Sequence, residues 1–511
     1  MARVALPNPY TISLVSNTPS LLFLYTLALT FIALYALAQL ALMLAYARYW
    51  LSDKHKRVQC ETDDGTKHVT IQIPLYNEPN VAARVIDAVA ALEYPREKYE
   101  IQVLDDSDDD GITAAIVDDR VAYYLANGWH IAAIRRIERK GYKAGALAEG
   151  LRTATGDYVA VFDADFTPAP NFLRRTLPHF TNPRIGLVQT RWTHPDRHTN
   201  LLTALQALQL DVHFSIEQGG RYYGGYFMQF NGTAGVWRRA CIDDAGGWQA
   251  DTLTEDLDLS LRAQAAGWRM VYDERTAVAA ELPADMPALR VQQFRWTKGG
   301  AECARKLLPL VWAAPLQRIT LAQKLHATAQ LLSSSVYAAI LVVVVLSVPL
   351  STLIKLHYAE GGFLTYFFAS SVAFTLVYAA AAARPMLVAD GVSRRVRLRS
   401  FVLHFPLFFA LSTGMAAHNA RAVFEGWMGR RSAFVRTPKR GNTHASAQSD
   451  TPAQRRVITL DDLKEAFLAT YLLVGVALDI TFGSWQMLPI HAIWAAGFGY
   501  VAVAVLRVTR Y

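Results

Sequence analysis

Residues 157–166, DYVAVFDADF, form an apolar run of strand length that ends in two aspartates. Side chains two apart on a strand point to the same side, so the carboxylates of Asp163 and Asp165 should converge where the strand ends. A segment of helix length follows, and the same order of apolar strand and helix recurs along the chain. Such alternation predicts an α/β fold with a mainly parallel sheet and helices on both faces.

Four further apolar runs have the same character as this strand. They are VTIQIPL (69–75), EIQVLDD (100–106), HIAAIRR (130–136) and RIGLVQT (184–190). Ligands of open parallel sheets bind outside the carboxyl ends of the strands. The acidic clusters DDSDDD and DADF fall at such ends. We therefore expect the functional crevice there.

The composition points to a membrane. Hydrophobic residues make up 52% of the 511 positions and charged residues only 18%, which is unlike an ordinary soluble enzyme. The formal net charge of +8 could suggest nucleic acid, but the basic residues lie beside apolar segments, as expected for the cytoplasmic side of a membrane protein. We therefore expect a lipid bilayer as a partner, and no nucleic acid.

The chain divides into three predicted domains. Residues 1–60 contain an uncharged run, 21–46, long enough to span a bilayer, which takes about 20 residues. Basic residues follow it at once, placing its C-terminal end in the cytoplasm. Residues 61–320 should form the cytoplasmic α/β domain, inserted ahead of a C-terminal membrane region at 321–511.

The C-terminal region has several apolar segments, of which one is ambiguous. Predicted spans are 331–354, 363–383, 467–486 and 489–506. If 401–420 also crossed, the strongly basic stretch 421–456 would lie outside, against the charge rule. We therefore predict that 401–420 is interfacial, or packs on other helices without crossing. Asp479, an acid within a predicted span, should face the bundle interior or a polar cavity.

The strand-end aspartates are candidate metal ligands. Paired carboxylates such as Asp163 and Asp165 suit Mg²⁺ or Mn²⁺, which neutralise a diphosphate. A solvated strand end would explain them as well, because Asp is common in turns. Asp105 and Asp106 end the preceding run and should line the same crevice, which favours the functional interpretation.

Two helix starts carry further candidates. Lys143 lies at an expected helix N-terminus in GYKAGAL, which suits a phosphate, although an ordinary surface lysine would look the same. Glu255 and Asp256 begin an amphipathic helix, where the helix dipole alone favours carboxylates. A general base, however, must be a carboxylate held near the acceptor hydroxyl, and Asp256 could fill that role.

Two further stretches are candidate binding sites, and the second suits a sugar. Glycines in FNGTAG, with Asn231 and Gly232, allow close approach of the backbone to a ligand, although a β-bulge would explain them equally. Gln292, Arg295 and Trp296 share one helical face and present an amide, a guanidinium and an indole. An Arg–Trp pair at a lipid interface is the alternative for the second stretch.

In combination and in order, these motifs resemble those of the family 2 glycosyltransferases of the cellulose synthase superfamily. The nearest likeness is to the cellulose-synthase-like A and C groups, which make glucomannan and β-glucan backbones, and to their bacterial relatives. It implies a GT-A-type, Rossmann-like catalytic domain. The motifs are IPLYNE (73–78), LDDSDD (104–109), GYKAGAL (141–147), FDADF (162–166), FNGTAG (230–235), TED (254–256) and QQFRW (292–296).

The resemblance assigns roles on the donor side by position. It implies that Asp105 and Asp106 contact the nucleotide and that Lys143 contacts nucleotide or diphosphate. Asp163 and Asp165 would be the metal and diphosphate carboxylates, with Mg²⁺ or Mn²⁺ as cofactor.

On the acceptor side, Asp256 would take the proton from the acceptor 4-hydroxyl, with Glu255 as a second catalytic carboxylate. Gln292 and Arg295 would lie near the departing diphosphate, and Trp296 would stack under the acceptor sugar. Asn231 and Gly232 are expected on this side as well.

One looser match concerns a loop. FVRTPK (434–439) resembles the gating loop F-x-V-T-x-K of bacterial cellulose synthases, which closes over the nucleotide, although the Val is displaced by one position. The likeness implies donor contacts for Thr437 and Lys439 within a gating-like loop at 421–456.

The resemblance therefore implies an inverting, processive hexosyltransferase that extends a β-linked polysaccharide from UDP-glucose or GDP-mannose and secretes it. The protein is expected to be a multi-pass membrane protein of a bacterial inner or plasma membrane, with its catalytic domain in the cytoplasm. One alternative is transfer of a single sugar to a lipid, as in ceramide glucosyltransferases. Another is a non-catalytic transporter that only binds the nucleotide-sugar.

Overall fold

A seven-stranded, mainly parallel sheet lies at the centre of the α/β half of the molecule. The structure, a computed structural model, describes residues 18–52, 65–108, 110–355, 364–383, 393–437 and 460–508. The sheet order is β3-β2-β1-β4-β6-β5-β7. The strands are β1 (Val69–Leu75), β2 (Tyr99–Asp105), β3 (Ile131–Ile134), β4 (Tyr158–Val161), β5 (Ile185–Thr193), β6 (Gly235–Arg238) and β7 (Arg269–Ala279).

The helices fall on both faces of the sheet and in a bundle beside it. In chain order they are α1 (Thr18–Leu51), α2 (Ala82–Ala90), α3 (Ile112–Ala126), α4 (Tyr142–Thr153), α5 (Phe172–Thr176), α6 (Leu201–Val212), α7 (Gln218–Gly224), α8 (Arg239–Asp244), α9 (Glu255–Ala265), α10 (Met286–Ala313), α11 (Leu321–Leu331), α12 (Val336–Lys355), α13 (Leu364–Ala382), α14 (Arg394–Gly414), α15 (Ala416–Trp427), α16 (Leu460–Phe482) and α17 (Leu488–Val508).

The apolar runs become strands because both of their faces are buried. Along β4, Tyr158 and Ala160 enter one core while Val159 and Val161 enter the other. A strand covered on both sides is apolar throughout instead of alternating with polar residues. The prediction of a mainly parallel α/β sheet is confirmed, with β6 as an antiparallel strand between β4 and β5.

The sheet topology places the crevice. β1 pairs in parallel with β2 on one side and with β4 on the other, so the strand order reverses there. A crevice opens at the carboxyl ends of the strands at such a reversal. Both acidic clusters emerge at this edge, after β2 and β4.

Several helices are long and apolar enough to cross a membrane. They are Thr18–Leu51, Ser333–Lys355, Leu463–Phe482 and Leu488–Arg507 among the described residues. α14 and α15 form a pair bent by 48°, which would make five if the pair is one span. The segment predicted as a span at 363–383 forms α13, whose apolar part, Phe367–Ala382, is shorter than these. The interfacial placement of 401–420, which begins within α14, stays a prediction.

A buried polar cluster joins three of these helices. On α16, Asp479 accepts from His491 of α17, with 2.6 Å between Oδ2 and Nδ1. The other ring nitrogen lies 2.9 Å from Ser347 Oγ on α12. All three side chains are almost completely buried. Asp479 therefore faces the bundle interior, as predicted, and its partner is a histidine.

We expect Asp479→Ala to destabilise the bundle by roughly 3–5 kcal/mol, because it leaves the buried His491 without its partner. Thermal unfolding in detergent micelles measures the effect. Thr481→Ala is the matched control, since Thr481 lies on the same helix but is exposed. Equal melting of the two variants would contradict a structural role for the cluster.

Candidate active site

One pocket at the carboxyl edge of the sheet collects most of the predicted site residues. The wall includes strand ends, the first turn of α9 and one face of α10. Among the described residues the predicted ones that line it are Asp106, Lys143, Asp163, Asp165, Asn231, Gly232, Glu255, Asp256, Gln292, Arg295, Trp296 and Thr437. Lys439 lies outside the described residues. The sequence motifs thus meet in space.

The two aspartates at the end of β2 have different surroundings. Asp106 lines the pocket and accepts from Arg136 Nε at 3.0 Å. Asp105 is buried and accepts from Arg135 Nε at 2.8 Å, and it is not among the described residues lining the pocket. Successive strand residues face opposite sides of the sheet, which separates the pair. Of the pair, only Asp106 therefore lines the pocket among the described residues, and the nucleotide contact stays a prediction for both.

Lys143 lies between the acidic motifs FDADF and TED. It follows Gly141, whose φ of +77° turns the chain into α4. The Nζ atom donates to Asp163 Oδ1 at 2.5 Å and to Gly232 O at 2.9 Å, and lies 3.9 Å from Glu255 Oε1. Burial disfavours the charged form, but the carboxylates outweigh it and hold the pKa of Lys143 above its ordinary value. The lysine is therefore a fixed positive charge in the pocket.

Asp256 lies in the first turn of α9. Burial first, and then the charge of Glu255, raise the pKa of Asp256 to about 7, although Lys143 opposes the shift. Its Oδ1 accepts from the Leu257 backbone N–H at 2.8 Å. A carboxylate with this pKa can hold or release a proton at neutral pH.

Gly232 lets the backbone approach these charges. Its φ is +81°, and a Cβ atom there would lie 3.1 Å from Asp256 Oδ2 and 3.3 Å from Lys143 Nζ. The sequence left close approach and a β-bulge open for this glycine. In the structure this glycine lies outside the strands, and a side chain here would contact the ionisable groups of the site, while close approach to a ligand stays a prediction.

The face of α10 forms as the helical spacing predicts. Gln292, Arg295 and Trp296 all line the pocket. Burial lowers the pKa of Arg295 from its ordinary value, while Glu255 and other nearby carboxylates oppose that effect. A guanidinium keeps its charge under such conditions. Arg295 is therefore a second fixed cation, placed opposite the acidic groups.

The segment after α15 forms part of the pocket wall. The Phe434 ring stacks on Tyr142 with 5.8 Å between ring centroids, and the Arg295 guanidinium lies 4.6 Å from its centroid. Arg436 pairs with Glu78 at 3.3 Å, and Thr437 is buried in the wall. The predicted loop boundary at 421 is wrong, because α15 continues to Trp427 with a buried face against α10.

Some residues of the pocket wall were not predicted from the sequence. The Arg139 guanidinium lies over the ring of Tyr76, with 3.2 Å between Arg139 Cζ and the ring centroid. Trp192 and His194 come from the end of β5. The sequence feature that could have predicted Trp192 and His194 is their place just after the run RIGLVQT, because ligands of such sheets bind at strand ends.

A second cavity of about 420 Å³ extends from the pocket into the helical bundle, and we call it the membrane cavity. It shares Asn231, Asp256 and Trp296 with the pocket. Further along, its wall comes from α1, α12, α13 and α14. Three residues predicted for the acceptor side therefore lie where the two spaces meet, whereas Gly232 lines the pocket alone.

The carboxylates of the strand end fit a divalent cation. Asp163 and Asp165 offer hard oxygen ligands in one pocket. Within the described residues there is no group of three or more His, Cys, Asp or Glu side chains with metal-site geometry. Mg²⁺ commonly takes only one or two carboxylates and completes its shell with water and substrate phosphates. The pair therefore fits a cation shared with a diphosphate.

Comparison with known proteins identifies the class. Residues 67–299 match the family described as Glycosyltransferase like family 2. A probable glucomannan 4-β-mannosyltransferase 7 of Oryza sativa subsp. japonica is 44% identical over 243 residues, 47% of this chain and 41% of that protein. Glucomannan 4-β-mannosyltransferase 9 of Arabidopsis thaliana is 34% identical over 465 residues, 86% and 81% of the two chains.

The fold and the site thus define a glycosyltransferase associated with a membrane region. This chain belongs to the family 2 glycosyltransferases, and the predicted resemblance to their cellulose-synthase-like members and the prediction of a hexosyltransferase are confirmed. It spans less than half the length of the first relative, and most of the second. Both relatives are plant proteins, so they lend no support to the expected bacterial membrane.

Among solved structures, the chain is similar to a mannosyltransferase from Pyrobaculum calidifontis in complex with GDP-Man and Mn²⁺. The TM-score is 0.48 at 18% identity, with 78% of this chain and 100% of that chain covered.

Proposed function

We propose that this chain extends a β-linked polysaccharide by inverting transfer of a hexose from a nucleotide-sugar. The observation that carries the proposal is one pocket that holds the metal-type carboxylates Asp163 and Asp165, the base candidate Asp256 and the cation Arg295. GDP-mannose is the first donor to test, because the curated relatives are named glucomannan 4-β-mannosyltransferases. UDP-glucose is the second.

The transfer step follows from the charges. Asp256 takes the proton of an acceptor hydroxyl, and the oxygen attacks the anomeric carbon of the donor. The bond from that carbon to the diphosphate oxygen breaks on the opposite face, which inverts the configuration. Arg295 and Lys143 offset the charge that develops on the leaving diphosphate. A divalent cation held by Asp163 and Asp165 would add further charge neutralisation there.

The path of the product is part of the proposal. The membrane cavity begins at Asp256 and Trp296, where the lengthened chain is released, and continues between the helices. We infer that the growing polymer enters it and crosses the bilayer, with the catalytic domain in the cytoplasm. Labelled polymer trapped inside sealed inverted vesicles is the expected result. Product found only on the catalytic side would contradict secretion.

The reaction should depend on the ionisation of Asp256. Because its pKa lies near 7, the carboxylate form grows as the pH rises from 5 to 8. We expect kcat/KM to increase about tenfold per pH unit below the midpoint and to level off above it. Initial rates at saturating metal measure the profile. A midpoint near 4, the value of an ordinary aspartate, would contradict the raised pKa in the working enzyme.

A product assay decides among the candidate functions. The purified chain is offered labelled GDP-mannose or UDP-glucose with Mg²⁺ or Mn²⁺, and the product is digested with a β-mannanase, a β-1,4-glucanase and a β-1,3-glucanase. Insoluble polymer from one donor, cut by one enzyme, is the expected result. A labelled lipid instead of polymer would favour the single-transfer alternative.

A further inference from the structure

His194 is a buried polar side chain of the pocket that the transfer step leaves unused. It follows β5 and is only 6% exposed. Its Nδ1 lies 3.3 Å from the backbone oxygen of Ala280. A carbonyl oxygen can only accept, so Nδ1 carries the proton and donates. Among the described residues, the buried Nε2 has no hydrogen-bond partner.

The tautomer decides what the missing partner can be. With the proton on Nδ1, Nε2 of the neutral ring is an acceptor. Burial lowers the pKa of His194 to about 4, so the ring is neutral at physiological pH. Buried polar atoms are nearly always satisfied, and an unsatisfied one calls for an explanation. The partner must be a donor, which a hydroxyl is and a fully ionised phosphate oxygen is not.

The neighbouring wall matches a sugar better than an anion. Trp192 adds an aromatic surface, and Glu281, which pairs with Arg84 at 2.7 Å, adds a carboxylate. A carboxylate and the Nε2 of this ring offer no hydrogen to an ionised phosphate oxygen, whereas both accept from hydroxyls. Aromatic residues with a few fixed polar groups are typical of small-molecule sites.

We propose that Nε2 of His194 accepts a hydrogen bond from one hydroxyl of the donor hexose and so helps to select the sugar. The inference rests on the proposed function of the pocket as a donor site, and it adds a specificity residue that none of the sequence motifs includes.

The test compares binding of complete and deoxygenated donors. Full-length protein in detergent with Mg²⁺ is titrated with GDP-mannose, with each of its 2-, 3-, 4- and 6-deoxy analogues, and with GDP alone. The same titrations are repeated with UDP-glucose, its deoxy analogues and UDP. For the donor that the wild type binds, we expect one analogue to bind about three- to tenfold more weakly than the parent. In His194→Asn this ratio should fall to about 1, while GDP or UDP binds as before.

The substitutions separate recognition from folding. Asparagine retains an N–H near the Nδ1 position that can donate to Ala280, but it has no acceptor in the place of Nε2. His194→Gln extends an amide toward that place and should restore part of the ratio. His198→Ala, on an exposed histidine in the same segment, is the control and should leave every ratio unchanged. Melting in detergent shows whether each variant is folded.

Each outcome bears on one statement only. If the wild type binds neither nucleotide-sugar, the proposed function is wrong. If the wild type binds a donor and His194→Asn shows the same analogue ratios, the role of His194 is overturned. Loss of GDP or UDP binding together with the sugar preference would also overturn it, because that result indicates a general collapse of the pocket.

Discussion

Asp256→Asn is expected to reduce kcat by about 10²- to 10⁴-fold, which is the usual contribution of a general base. Asparagine preserves the shape of the side chain and can still accept from the Leu257 N–H, but it cannot take the proton of the acceptor hydroxyl. Donor affinity should change little, since the variant removes a group needed for the chemical step. Polymer formation and donor binding, measured on the same preparation, separate the two effects.

A matched acid shows whether the effect is specific. Asp251 lies just upstream of α9, where its exposed carboxylate pairs with Lys306 at 2.7 Å. Asp251→Asn should therefore keep nearly full activity. Full polymerising activity in Asp256→Asn would remove catalysis from this carboxylate. A chain that binds donor but forms no product, with or without the substitution, would favour the transporter alternative.

The sequence was informative where one local rule decides the structure. β4 could be predicted because a strand buried on both faces needs an unbroken apolar run. Asp163 and Asp165 both line the pocket, but the expected strand alternation is not the reason, because β4 ends at Val161 and the two residues lie in the turn that follows. The helical face with Arg295 and Trp296 follows from a spacing of three and four residues. These rules act within a few residues of each other.

Other features depend on distant partners. Asp105 ends β2 and Asp106 follows it, and only the assembled pocket shows that Asp106 lines it, with each carboxylate held by a different arginine after β3. β6 has four residues and is held by β4 and β5 on either side, so its own pattern is weak. A lone histidine such as His194 has no spacing signal. Its proposed role depends on the contact of Nδ1 with the backbone oxygen of Ala280, just after β7, which is distant in sequence.

Arg295→Ala is expected to reduce kcat by about 10²- to 10³-fold, the range measured for loss of one preorganised donor to a developing negative charge. The guanidinium is half-buried in the pocket near Asp163 and Asp165, the expected site of the metal and diphosphate, so it can stabilise the charge that appears on the leaving diphosphate. Its stacking on Phe434 also helps to hold the segment after α15 in the pocket wall. We therefore expect a weaker nucleotide complex as well, seen as an increase in the donor KM.

Arg295→Lys and an exposed arginine of the same helix complete the comparison. Lysine retains the charge but loses the planar fork and the stacking, so it should recover only part of kcat. Arg305→Ala, at an exposed position further along α10, should behave as the wild type. If Arg295→Lys restores full kcat, charge alone stabilises the diphosphate. If Arg295→Ala changes only KM, the guanidinium binds the donor equally in its ground state and contributes nothing specific to the transfer step.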